Sequence, residues 1–122
     1  MIPLQIKNGK YNIYRQYSPK KGAVQAETQT VVSDCGDISG DIGKWVHWDI
    51  YVKFSYSDFF DPYLSVFKDG VLIYQSTKAN YVNSPRGSFF KVGPYPVNYV
   101  NNPSQIQSTS RTMLVDNIVF TN

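Results

Sequence analysis

The sequence predicts an all-β fold, an antiparallel β-sandwich or jelly roll, on three observations. Apolar and polar residues alternate with a period of two, and no segment carries a helical stripe. Two dipeptides that favour tight hairpins, Asn8-Gly9 and Asp69-Gly70, each sit between alternating runs. About eight short strands with turn signals between them suit two packed sheets better than a closed barrel.

The elements follow in order. Leu4 to Lys7 alternates, Asn8-Gly9 accepts the positive φ angles of a type I′ turn, and Tyr11 to Tyr17 alternates again, so the chain opens on a hairpin. Ser18 to Gly22, with Pro19 and two lysines, is a loop, and Glu27 to Ser33 is a Thr/Val strand. Asp34 to Gly43 is rich in Asp, Gly and Ser and reads as a turn-rich connection. The clearest strand runs from Trp45 to Phe54. Val46, Trp48, Ile50, Val52 and Phe54 share the core face, and Trp45, His47, Asp49, Tyr51 and Lys53 share a face that is wet or lined for a ligand. Tyr63 to Lys68 and Val71 to Gln75 form a second hairpin through Asp69-Gly70, and Ser76 to Gly87 is loop. Ser88 to Tyr95 is strand-like, with Pro94 at an edge or bulge. Asn98 to Ser110 is a polar segment, and Thr112 to Phe120 is the last strand.

Composition bounds the function. The chain has 122 residues, 42% hydrophobic and 17% charged, which makes one domain, 1–122, with a real core. Twelve Lys+Arg against nine Asp+Glu give a net charge of +3, scattered along the chain. That suits an anionic partner but gives no nucleic-acid stripe. No apolar run reaches the ~20 residues of a membrane helix, so no membrane partner is expected. Cys35 is the only cysteine and His47 the only histidine, which excludes an intramolecular disulfide and a Cys- or His-rich zinc site. Phosphate-cradling and dinucleotide glycine patterns are absent. No cofactor or metal is expected: a calcium site on the loop carboxylates Asp34, Asp37 and Asp41 is conceivable, but their spacing fits no EF-hand and a solvated loop is the default reading. Acids beside Cys35 disfavour its thiolate. His47, between Trp45 and Asp49, reads as a structural hydrogen-bonder, with a base role open if substrate comes within reach.

Phe89-Phe90-Lys91-Val92-Gly93-Pro94-Tyr95 carries the most chemistry. In an extended strand Phe89, Lys91, Gly93 and Tyr95 share a face, with Lys91 and Tyr95 ~13 Å apart unless Gly93-Pro94 bends the chain. Rings to stack on sugars, an ammonium for a carboxylate and a phenol for proton transfer suit an acidic polysaccharide. On composition alone, a half-buried strand with Lys91 solvated and Tyr95 packed is the better reading.

Phe-Phe-Lys-Val-Gly-Pro-Tyr at 89–95 resembles the Tyr-Phe-Lys-x-Gly-x-Tyr strand of jelly-roll polysaccharide lyases, the group of alginate lyases, glucuronan lyases and heparin lyase I. Other fragments match in order. Gly43-Lys44-Trp45-Val46-His47-Trp48 with Val52-Lys53-Phe54-Ser55 is similar to the family's Gly-x-Trp strand and its Trp-Ser ending, and Val66-Phe67-Lys68-Asp69-Gly70 to its Val-Trp-x-Asn-Gly hairpin. Asn80-Tyr81 is similar to the Asn-Tyr before the signature strand, and Val115-Asp116-Asn117-Ile118 to the closing strand. Pro3-Leu4 and Asn8-Gly9-Lys10-Tyr11 resemble an early hairpin of the heparin-lyase type.

The resemblance implies a concanavalin A-like jelly roll, β-elimination on uronic-acid polysaccharides, and an extracellular or periplasmic setting. Tyr95 falls on the catalytic tyrosine and Lys91 on the signature lysine, which would bind an acidic sugar. Arg86, Phe89 and Arg111 are further substrate-binding candidates, with His47 and Tyr99 as additional ones. The chain departs from the pattern where Phe89 replaces Tyr and Pro94 precedes Tyr95. It has no Gln-x-His strand, so the family's catalytic histidine does not transfer to His47. These departures imply a chain that lacks N-terminal strands or whose catalysis has decayed, with exposed sheet edges that favour homo-oligomers. A non-catalytic, lectin-like carbohydrate-binding module and a structural or assembly sandwich are the alternatives.

Overall fold

The computed structural model describes residue 2, residues 4–20, residue 22, residues 27–83 and residues 114–121. The chain falls into two units, Met1–Ser88 and Phe89–Asn122. The first holds two three-stranded antiparallel sheets, and no α-helix occurs among the described residues.

The first sheet is built from β1 (Leu4–Lys7), β2 (Lys10–Tyr17) and β3 (Gln29–Asp37), with β2 in the middle. Asn8 and Gly9 turn the β1–β2 hairpin at φ 53° and 73°, as the dipeptide predicts. The second sheet is built from β4 (Trp48–Lys53), β5 (Tyr63–Lys68) and β6 (Val71–Ser76), with β5 in the middle. Asp69 and Gly70 turn the β5–β6 hairpin at φ 49° and 78°.

The sheets meet through a small core. In β2 the inward positions are Tyr11, Ile13, Arg15 and Tyr17, and Ile13 is fully buried. It packs with Leu64 and Val66 of β5, and Leu4, Cys35, Trp48, Val52, Ile73 and Tyr74 close around them. Tyr11 of one sheet meets Trp48 of the other edge-on, with ring centroids 5.0 Å apart. This face-to-face packing is that of a β-sandwich.

Three sequence expectations are corrected. The Thr/Val strand does not end at Ser33 but runs to Asp37, through the start of the expected turn-rich connection. Lys10 draws Asp34 into the ladder by an ion pair, and an irregular register between Lys10 and Asn12 absorbs Cys35 and Gly36. The strand expected from Trp45 begins only at Trp48, because His47 is held by Asp69 at the mouth of the neighbouring hairpin. Residues 114–120, the described part of the expected last strand, form no strand. Asn117 takes φ 49°, which breaks an extended run, and Leu114 is 74% exposed rather than packed. The strand expected over Ser88 to Tyr95 and the polar segment Asn98 to Ser110 lie outside the described residues.

Candidate functional site

Of the candidate site residues, His47 lies among the described residues. Arg86, Phe89, Lys91, Tyr95, Tyr99 and Arg111 lie outside them. His47 stands just before β4 with its side chain 73% exposed. Its backbone N–H donates to the Asp69 carboxylate at 2.9 Å, and its carbonyl accepts from the Asp69 N–H at 2.9 Å. Its Nε2 lies 3.1 Å from Asp49 Oδ1. The carboxylate orients the ring, and the backbone bonds fix where it stands. That agrees with a structural hydrogen-bonder, and the exposed ring remains open to a ligand.

The segment leading to residue 84 is held firmly. Asn80 is fully buried; its Oδ1 accepts from the Ser55 N–H at 3.0 Å, and its Nδ2 donates to the Lys53 and Tyr63 carbonyls at 3.1 and 3.2 Å. One amide side chain thus ties residues 79–81 to the ends of β4 and β5. The Ser55 carbonyl answers by accepting from the N–H groups of Asn80 and Tyr81. Asp58, on the 3₁₀ turn Asp58–Phe60, accepts from the Ala79 N–H and from Lys78, and both bonds hold its carboxyl below the usual range. Arg15 reaches from β2 to donate to the Ala79 carbonyl, and among the described residues its buried Nε has no partner. Val82 then bridges to Ser18 beyond the end of β2.

Sequence reasoning matched Asn80 to a family motif but gave it no role, and it missed Arg15. The signal for Arg15 was available: it is the one charged residue on the inward parity of β2.

At the opposite end, Asp41 accepts from the Tyr11 hydroxyl at 3.0 Å and from Lys68 at 2.6 Å. The Lys68 ammonium and the phenol hold the Asp41 carboxyl low. Burial first, then Asp41, pushes Tyr11 up to about 12. Tyr11 is therefore kept protonated and is a poor base near neutral pH. Burial also raises Cys35, and Asp34 adds to it, so the thiolate is disfavoured as expected, although Cys35 sits on β3 rather than in a loop. Asp34, Asp37 and Asp41 do not converge: Asp34 pairs with Lys10, Asp37 accepts from the Ser39 N–H, and Asp41 takes Lys68. Among the described residues no group of three or more His, Cys, Asp or Glu could hold a metal ion.

Two packed sheets with a firmly anchored 79–83 segment are the scaffold among the described residues, and comparison with family models shows which family it belongs to. The polysaccharide lyase model matches residues 1–119. This chain belongs to the polysaccharide lyase family. The match runs through both hairpins, the Asn80 anchor and the 89–95 sequence motif of this polysaccharide lyase chain, and it favours a lyase-like domain over a lectin-like module or an assembly scaffold. No curated protein and no solved structure matches the chain.

Proposed function

We propose that this polysaccharide lyase domain cleaves an acidic, uronic-acid-containing polysaccharide by β-elimination, with Tyr95 as acid/base and Lys91 as the cation of the acidic subsite. The observation that carries the proposal is the family match across residues 1–119, which takes in the whole Phe89–Tyr95 motif. In the reaction a base removes the proton from carbon 5, the electron pair becomes the carbon 4–carbon 5 double bond, and the glycosidic oxygen leaves as it is protonated. The carbanion forming beside a carboxylate is very basic, so cationic or hydrogen-bonding groups must absorb its charge. An unperturbed tyrosine has a pKa of ~10, and serving as base requires positive charge nearby. Lys91, Arg86 and Arg111 are the residues to supply it.

The test is turnover of alginate, polyglucuronate and heparin, followed by ultraviolet absorbance of the unsaturated product. Product should form with at least one polymer, and Tyr95→Phe should abolish it. Lys91→Ala should raise KM more than it lowers kcat. Absence of product from all three with folded protein overturns the proposal. Binding without turnover, unchanged in Tyr95→Phe, reassigns the chain as a carbohydrate-binding module.

A further inference from the structure

The outward face of the second sheet carries a pattern that core formation does not explain. Along β4 and β5 the register pairs Asp49 with Phe67, Tyr51 with Ser65, and Lys53 with Tyr63. Side chains alternate across a strand, and the alternate pairs place Leu64 and Val66 in the core, so these six residues all face away from it. Tyr51 and Tyr63, diagonal neighbours across the two strands, are 54% and 44% exposed. Phe67 meets Tyr51 edge-on at 5.8 Å and fixes the Tyr51 ring. Between Tyr63 and Phe67 the small Ser65 leaves a saddle, and Gln75, opposite Ser65 on β6, is exposed at its far side.

Charge supplies a second observation. Among the described residues Asp34, Glu27, Asp41 and Asp58 each take a lysine, whereas the exposed Lys53 ammonium, at the end of this row, takes no carboxylate. The acid on the same face, Asp49, is occupied by His47 and lies four residues along β4, ~13 Å away at strand rise.

We infer that Tyr51, Tyr63 and Lys53 form a glycan-binding stripe for an acidic polysaccharide chain, outside the motif at 89–95. A pyranose ring has an apolar C–H face and a rim of hydroxyls. The tyrosine rings offer flat apolar surface held by the sheet, the Ser65 and Gln75 side chains offer hydrogen bonds along the floor, and Lys53, which takes no carboxylate among the described residues, offers its charge to a ring carboxylate. An aromatic face meant to be covered by protein would not carry beside its most exposed ring an ammonium that, among the described residues, meets no carboxylate. The inference rests on the proposed acidic substrate and extends it: the stripe holds the polymer, whereas Lys91 and Tyr95 act on it.

The experiment is affinity electrophoresis of the full chain in gels containing polyglucuronate, alginate or heparin, with dextran as the uncharged control, across a salt series. Tyr51→Ala and Tyr63→Ala should each weaken binding by about tenfold, and Tyr51→Phe should keep most of it. Lys53→Gln should lower the slope of log affinity against log salt by about one. Amide chemical-shift changes on titration of the unmutated chain should gather at 51, 53, 63 and 65 rather than along β1, which needs no variant to fold. Wild-type binding that none of the three substitutions alters, or shift changes confined to other strands, overturns the stripe and leaves the proposed substrate standing. Equal retardation by dextran overturns its acidic specificity. Failure of the unmutated chain to bind any acidic polymer overturns both.

Discussion

Asn80 and Tyr11 are both held by named polar partners, and each makes a separate prediction. Asn80 satisfies one buried donor and two carbonyls at once. Asn80→Ala leaves them unpaired and should cost about 3 kcal/mol in urea denaturation. Asn80→Asp keeps the acceptor for the Ser55 N–H but sets a carboxylate against the Lys53 and Tyr63 carbonyls. Its folded pKa is then raised above the unfolded value, so the variant should regain stability as pH falls, the reverse of the parent. Tyr11 works at the other end of the pH scale. Its pKa rises from 10.0 to about 12 on folding, so its contribution is complete below pH 10 and is lost as pH rises through about 12, because the unfolded chain releases the proton first. Thermal melts between these values should show a decline that Tyr11→Phe removes. A decline unchanged in Tyr11→Phe would place the alkaline loss elsewhere, for instance in the Lys10–Asp34 pair.

At the scale of the element, the hairpins were the most legible part of the sequence, for a local reason. Asn-Gly and Asp-Gly accept two successive positive φ angles, and both turns adopt them. A Cβ added at Gly70 would meet nothing within 4 Å, so Gly70→Ala isolates the backbone cost. It should lose about 1–2 kcal/mol, whereas Gly40→Ala, also in open space and without a positive φ, should change stability little. Equal effects at the two positions in chemical denaturation would show that the turn conformation is not what matters. The ends of β3 and β4 were less legible, because they are set by Lys10–Asp34 and His47–Asp69, pairs 24 and 22 residues apart. Alternation names the face a residue occupies but not the distant partner that extends or stops the strand. The same alternation marked Tyr51 and Lys53 as sharing a face with His47. What it could not supply was the register that sets Tyr63 and Ser65 beside them. Likewise Asn80 was visible as a motif residue, yet its role depends on carbonyls contributed by β4 and β5.

At the scale of the whole molecule, the sandwich class was legible in period-two patterning, and the family resemblance in ordered fragments spread along the chain, with membership shown by the family match over residues 1–119. The proposed acid/base Tyr95 and the proposed subsite cation Lys91 lie outside the described residues, and the motif at 89–95 is what assigns them. What joins the two sheets is narrow: Ile13 from β2 against Leu64 and Val66 from β5. Among the described residues few apolar side chains are fully buried, and those few lie between the sheets, so each sheet is one wall of the other's core. Leu64→Ala should therefore cost about 3 kcal/mol and should raise amide exchange in β1 and β2 as much as in β4 to β6. Ile13→Ala should do the same from the other side. The double variant should be less destabilised than the sum of the two by on the order of 1 kcal/mol, since both truncations open one shared cavity. If Leu64→Ala speeds exchange in the second sheet while β2 keeps its protection, the sheets unfold independently. Cooperativity would then have to come from the polar ties, Arg15 to Ala79 and Tyr11 to Asp41, rather than from the apolar contact.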